Sequence, residues 1–156
     1  MSEAQDAVLP FAIRGQYIKD LSFENPNPLK FLSEEFNKQP TISVDIQAKA
    51  GPVGDKVFEV VLDIQVDAKQ DKEQVFLAEL SYAGIVVLGN IPPEHIEPLL
   101  MIHAPSLLFP FARNIISDAI RDGGFSPLML SPVDFAYLYQ QQKESEGQKA
   151  NGHAIT

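Results

Sequence analysis

No cysteine occurs in the 156 residues, which excludes disulfides, thiolate metal sites and thiol catalysis; the redox compartment stays open but is compatible with the cytosol. Tryptophan is absent too, so any aromatic surface must be built from the ten Phe and four Tyr. Basic residues are scarce: 12 Lys and Arg stand against 21 Asp and Glu, for a net charge of -9. A phosphate backbone calls for a basic stripe, so no nucleic-acid partner is expected. The most apolar stretch, Leu99 to Ile120, is interrupted by His103, Pro105, Pro110, Arg113 and Asp118. It falls short of the roughly 18 unbroken apolar residues of a membrane span. Met1 to Asp6 has neither the basic nor the apolar region of a signal peptide. The expectation is a cytoplasmic protein with no direct membrane insertion.

Catalytic signatures are missing as well. Gly51-Pro52-Val53-Gly54-Asp55-Lys56 lacks the glycine spacing, Gly-Lys pair and following Ser/Thr of a phosphate loop, and reads as a hairpin turn. His95, His103 and His153 have no second histidine or carboxylate at ligand spacing, and no Gly-x-Ser-x-Gly elbow exposes a nucleophile. Asp20 and Glu24 on one strand stand about 13 Å apart, beyond the roughly 5 to 9.5 Å of a glycosidase pair. No enzyme, metal or cofactor is expected.

What the chain does have is period-two alternation with carboxylates in the polar set. In Tyr17 to Glu24, Asp20, Ser22 and Glu24 share one strand face, and Lys19, Leu21 and Phe23 the other. Val57 to Asp67 separates Glu59, Asp63 and Asp67 from Phe58, Val60, Leu62, Ile64 and Val66. Gln74 to Tyr82 separates Leu77 and Glu79 from Phe76, Ala78, Leu80 and Tyr82. The polar face is either ordinary solvation of a half-buried sheet or a docking surface for a basic partner, with Leu77 as a greasy spot among carboxylates.

The strands expected are Phe11 to Glu24, Thr41 to Ala48, Val57 to Ala68 and Gln74 to Tyr82. The last three form an antiparallel meander, and the first is joined across the Asn25 to Pro40 connection, which suits one short helical turn. Pro92-Pro93 opens a short helix and Pro105 a second, in which Pro110 should kink or delay the start. From Phe111 onward, Arg113, Ser117 and Arg121, with Asn114, Asp118 and Asp122, line polar rows beside an apolar arc of Phe111, Ile115, Ile116, Ala119 and Ile120. Gly123-Gly124 supplies the stop, and Ser131-Pro132-Val133-Asp134 starts a third helix through Tyr139. One sheet with a few helices leaves more apolar surface than it can cover, which predicts oligomerisation.

Three segments carry a family resemblance: Tyr17-Ile18-Lys19-Asp20-Leu21-Ser22-Phe23-Glu24-Asn25-Pro26, Leu108-Phe109-Pro110-Phe111-Ala112-Arg113, and Phe125-Ser126-Pro127-Leu128-Met129-Leu130-Ser131-Pro132-Val133-Asp134-Phe135. In order and composition the chain resembles the SecB family of bacterial export chaperones over Phe11 to Gln142. The resemblance implies an α+β fold, a four-stranded antiparallel sheet with helices packed on one face, assembling as a homotetramer, a dimer of dimers. It implies an ATP-independent chaperone that binds unfolded precursor proteins in the cytoplasm and delivers them to SecA. The positions matching the SecA-binding patch are Asp20, Glu24, Leu77 and Glu79; those matching the client groove are Phe31, Phe36, Phe109 and Phe111; those matching the buried and assembly face are Ala78, Leu80 and Tyr82. Phe36 stands where relatives often carry tryptophan. Residues 1–10 are expected to be a flexible start, 11–142 the domain, and 143–156 a disordered tail. Two alternatives stay open: a chaperone of this fold serving another client, such as a toxin-antitoxin partner, and a small-molecule binder using the aromatic groove.

Overall fold

Alternation of apolar and polar residues is realised as four long strands. In the computed structural model, residues 10–33 and 39–155 are described, with side chains described as far as Gly147. Strands β1 (Phe11–Glu24), β2 (Thr41–Gly54), β3 (Val57–Gln70) and β4 (Glu73–Leu88) form one antiparallel sheet in the order β1-β4-β3-β2. The expected meander is therefore β2-β3-β4, and β1 pairs on the far side of β4, leaving β1 and β2 as the edges. Asp71 and Lys72 both take positive φ, 50° and 70°, which suits a two-residue turn whose twist matches a hairpin. The other turn is shorter than expected. β2 continues through Pro52 to Gly54, because an edge strand has a side on which a missing N–H costs nothing, and the reversal is left to Asp55 and Lys56.

The inner face of the sheet carries the core. Val60, Leu62, Ile64 and Val66 of β3 are buried, as are Phe76, Ala78, Leu80 and Tyr82 of β4. Each Val, Leu, Ile or Phe among them stabilises the fold by about 1.5–3 kcal/mol relative to exposure. Ala78, Leu80 and Tyr82 are thus covered within their own chain, at 0%, 2% and 7% exposure. This is the buried side of the sheet expected of them, and the helix Ala104–Asp122 packs over β4 there.

Above the sheet lie α1 (Pro28–Phe31), α2 (Pro93–Pro98), a π-helical turn (Leu99–His103), α3 (Ala104–Asp122) and α4 (Phe135–Ile155). The run Pro93–Asp122 is long and apolar enough to cross a membrane by length and composition. Its Leu108, Ala112, Ile116 and Ile120 are instead 0% exposed, at i, i+4 spacing in the core beneath α3. Ser117 belongs to that buried stripe and Phe111 does not, the reverse of the expectation. Phase decides this: Ser117 follows Ile116 on the covered side, whereas Phe111 falls beside Tyr82 and stays exposed. Pro110 lies inside α3 without delaying its start at Ala104. Both Pro110 and Ser106 are exposed, so the carbonyl that proline cannot satisfy is on the solvent side. The third helix starts later than Ser131-Pro132 suggested. Asp134 is its cap, its Oδ1 accepting from the Tyr137 N–H at 3.1 Å. The helix also runs past Tyr139, with its end assigned at Ile155.

Gly123 and Gly124 end α3, Gly124 with φ +102°. A Cβ on Gly123 would lie 2.3 Å from the Phe23 ring, which cannot retreat because it packs against Phe76 and Phe125 at 5.6 and 6.3 Å. Gly123→Ala is therefore expected to cost about 1–3 kcal/mol by overpacking, seen as a lower midpoint in denaturant unfolding. An unchanged midpoint would show that the Phe23 stack yields.

Candidate functional site

The outer face of the sheet is a checkerboard that only the strand register creates. Asp20 of β1 lies opposite Ser81, Ser22 opposite Glu79, and Glu24 opposite Leu77. On the other side of β4, Ser81 faces Asp63, Glu79 faces Gln65, and Leu77 faces Asp67. Carboxylates thus occupy diagonal positions, about 7–8 Å apart, instead of the directly opposed positions where like charges destabilise a sheet. Asp20, Asp45, Asp63 and Glu79 ring a shallow depression of ≈ 300 Å³.

The acids on this face are not equivalent. Glu59 accepts from the Tyr17 hydroxyl and pairs with the Lys19 ammonium at 2.7 Å. Asp63 accepts from the Ser81 hydroxyl and lies 3.3 Å from Lys49 Nζ, and Asp67 accepts from Gln74 Nε2 at 2.5 Å. Asp20, Glu24 and Glu79 have no ion pair or hydrogen-bonding side chain among the described residues, and all three are exposed. Glu24 and Glu79 flank half-buried Leu77, and Asp20 lies further along the same face, opposite Ser81. The structure sets apart Glu59, Asp63 and Asp67, whose charge is met by neighbours.

Lys19 reaches Glu59 because β1 bulges between Ile18 and Asp20. The bulge corrects the simple parity that put Lys19 with Leu21 and Phe23. Strand alternation could not reveal the Tyr17, Lys19 and Glu59 cluster, since its partners lie 40 or more residues apart. The Lys19 and Tyr17 hydrogen bonds hold the Glu59 carboxyl below its ordinary value. The Glu59 hydrogen bond in turn pushes the Tyr17 phenol up from 10.0 to about 12. A raised phenol favours the folded state fully below pH 10, and that contribution is lost as pH rises toward about 12. The Glu59 contribution is present above the ordinary carboxylate range and is lost as pH falls through its lowered value. Ultraviolet titration should show one late-ionising tyrosine that disappears in Tyr17→Phe; a set of tyrosines all ionising near 10 would contradict the geometry.

A second surface follows the inner side of edge strand β2. Ile42 and Val44 are 41% and 43% exposed there, beyond the cover of the helices. At one end a cavity of ≈ 390 Å³ is lined by Phe31, Leu32, Pro40, Phe76, Phe125 and Leu128. At the other, one of ≈ 660 Å³ is lined by Ala48, Ala50, Pro52, Phe58, Leu100 and Met101 with α4 as its far wall. Phe31 is mostly buried, yet it forms part of the first cavity. Phe109 is 5% exposed and packs on Phe135, with ring centroids 5.9 Å apart. Phe111 is 52% exposed and stacks near Tyr82, remote from Phe31 in the lining. The structure therefore does not gather these aromatics into one groove, and Phe36 lies outside the described residues. Ile42 and Val44 escaped sequence reasoning because alternation assigns a face without saying whether anything covers it. Among the described residues, no group of three or more His, Asp or Glu side chains could hold a metal ion.

A model of the family described as preprotein translocase subunit SecB matches residues 3–146. The chain belongs to the SecB family. It is 48% identical over 136 residues to the protein-export protein SecB of Bartonella bacilliformis, covering 87% of this chain and 85% of that one. It is 46% identical over 145 residues to that of Xanthobacter autotrophicus, covering 93% and 92%. Among solved structures, a SecB-like chaperone of Mycobacterium tuberculosis, in complex with a peptide from an antitoxin, superposes with a TM-score of 0.62. At 13% identity over 80% of this chain and 88% of that one, this likeness shows the fold. The SecB fold and the role of protein-export chaperone are those of this chain.

Proposed function

We propose that this SecB-family chaperone holds unfolded precursors without ATP in the cytoplasm along the inner side of β2 and passes them to SecA through Asp20, Glu24, Leu77 and Glu79. One observation carries the delivery half: these three carboxylates are exposed on the outer face with no ion pair or hydrogen-bonding side chain among the described residues, and two of them, Glu24 and Glu79, flank an apolar side chain. Uncompensated charge around a greasy centre suits a basic partner surface, steering encounter and disfavouring acidic surfaces.

The holding half rests on the edge. β2 has a row of unpaired backbone groups beside exposed Ile42 and Val44, with cavities at both ends whose walls mix apolar and polar side chains. An extended client segment can add to such an edge through main-chain hydrogen bonds, which read no sequence, while its side chains fill the cavities. Phe31 serves the groove here; Phe109 supports it from the core. Phe111 goes with assembly: it stands beside exposed Leu107, Ile18 and Leu21, the surface that supports a dimer of dimers. Several weak grooves per tetramer then act together on one long chain, raising its effective affinity.

Calorimetric titration with SecA at low and high salt tests the delivery half. Affinity should fall steeply with salt, because screening acts over about 8 Å at physiological ionic strength. Salt-independent binding would remove the acidic face from the interaction.

A further inference from the structure

A third apolar concavity, of ≈ 650 Å³, lies at the far end of the sheet, where the start of β1 meets α2 and the π-helical turn. Phe11, Ile91, Pro98, Leu99, Ile102 and His103 form much of its wall. Among the described residues it has no carboxylate, ammonium or guanidinium in its lining, although 21% of the chain is charged. The Phe11 and His103 rings meet edge to face at 4.8 Å and 68°, giving one side an aromatic platform. The π-helical turn shapes the other side. Neither Pro98 nor Pro105 can donate a backbone hydrogen bond, and the Ala104 N–H reaches five residues back to Leu99 O, which widens the helix where Leu99 and Ile102 line the cavity.

The concavity is continuous with the β2 groove. A neighbouring depression of ≈ 480 Å³ shares Phe58 and Ile96 with the cavity at the end of β2, and shares Asn90, Ile91 and Pro92 with the one at Phe11. Adjoining hollows thus run from β2 beneath α2 to the Phe11 corner, and the last of them is the one free of carboxylate, ammonium and guanidinium in its lining. We infer that this corner is a further subsite for an uncharged aromatic or aliphatic side chain of the same unfolded client, reached by chain that continues past the end of β2. The inference rests on the β2 reading of client binding. It extends that reading, because it makes affinity depend on client length beyond the β2 groove.

The test uses the full chain carrying a benzophenone amino acid at Leu99 or at Val44, illuminated with a permanently unfolded, reduced and carboxymethylated polypeptide. Crosslinks to that polypeptide from both positions are expected. Leu99→Glu should weaken the long polypeptide about tenfold, and leave a fragment only long enough to fill the β2 groove unaffected. Crosslinking from Val44 alone overturns the inference and spares the β2 reading; silence at both positions overturns both. Crosslinks from Leu99 to a second copy of this chain, or within the chain, also overturn it, because the concavity is then already filled. Equal weakening of long and short polypeptides by Leu99→Glu counts against it too.

Discussion

The double charge reversal Asp20→Lys, Glu79→Lys is expected to lower SecA affinity about a hundredfold at low salt and to leave unfolded-client binding within about twofold. The asymmetry follows from position. Both residues are exposed on the outer face of the sheet, and the proposed client groove lies on its inner side. Neither carboxylate has a described partner, so reversal leaves no neighbour stranded and should hardly change stability. Reversal at Asp63 behaves differently, since Lys49 and Ser81 lose their acceptor and the fold is perturbed together with the surface. Surface binding measurements with SecA and with an unfolded polypeptide, run on one preparation, separate these outcomes. If SecA and client affinities fall together while the oligomer persists, the two surfaces are not independent.

The reciprocal variant is Ile42→Asp, Val44→Asp. Each removes an exposed apolar side chain from the inner face of the free edge and puts a charge in its place. A client losing two such contacts should bind less tightly by roughly 2 kcal/mol, or about 30-fold. Because both positions are about two-fifths exposed already, the fold should tolerate the change. SecA affinity should stay where it was. Suppression of aggregation of a denatured protein, measured beside SecA binding, decides the matter; full holding activity in this variant would move the client elsewhere.

Taken together, the variants ask whether delivery and holding occupy opposite sides of one sheet. The arrangement has a physical advantage. A client lying along β2 leaves the diagonal carboxylates open, so SecA can engage a loaded chaperone without competing for the same side chains.

Much of this protein was legible in one dimension. Period-two alternation placed all four strands, and β1 has the expected bounds of Phe11 and Glu24. Gly123-Gly124 ended the long helix because a terminus needs a residue that accepts positive φ, a property local to the chain. The sequence also determined the two-faced character of the sheet and, through three long motifs, the family. What only the tertiary structure decided was which members of each face matter. Asp20 and Asp63 look alike in alternation, yet one is uncompensated and the other is held by Ser81 and Lys49, partners set by a register of long-range pairs. The bulge after Ile18 sends Lys19 to Glu59 against its parity, and the phase of α3 buries Ser117 while exposing Phe111. Alternation is a property of neighbours along the chain, but charge compensation and cover are properties of neighbours in space. The acidic strands were therefore visible from the start, and their division into neutralised and available carboxylates was not.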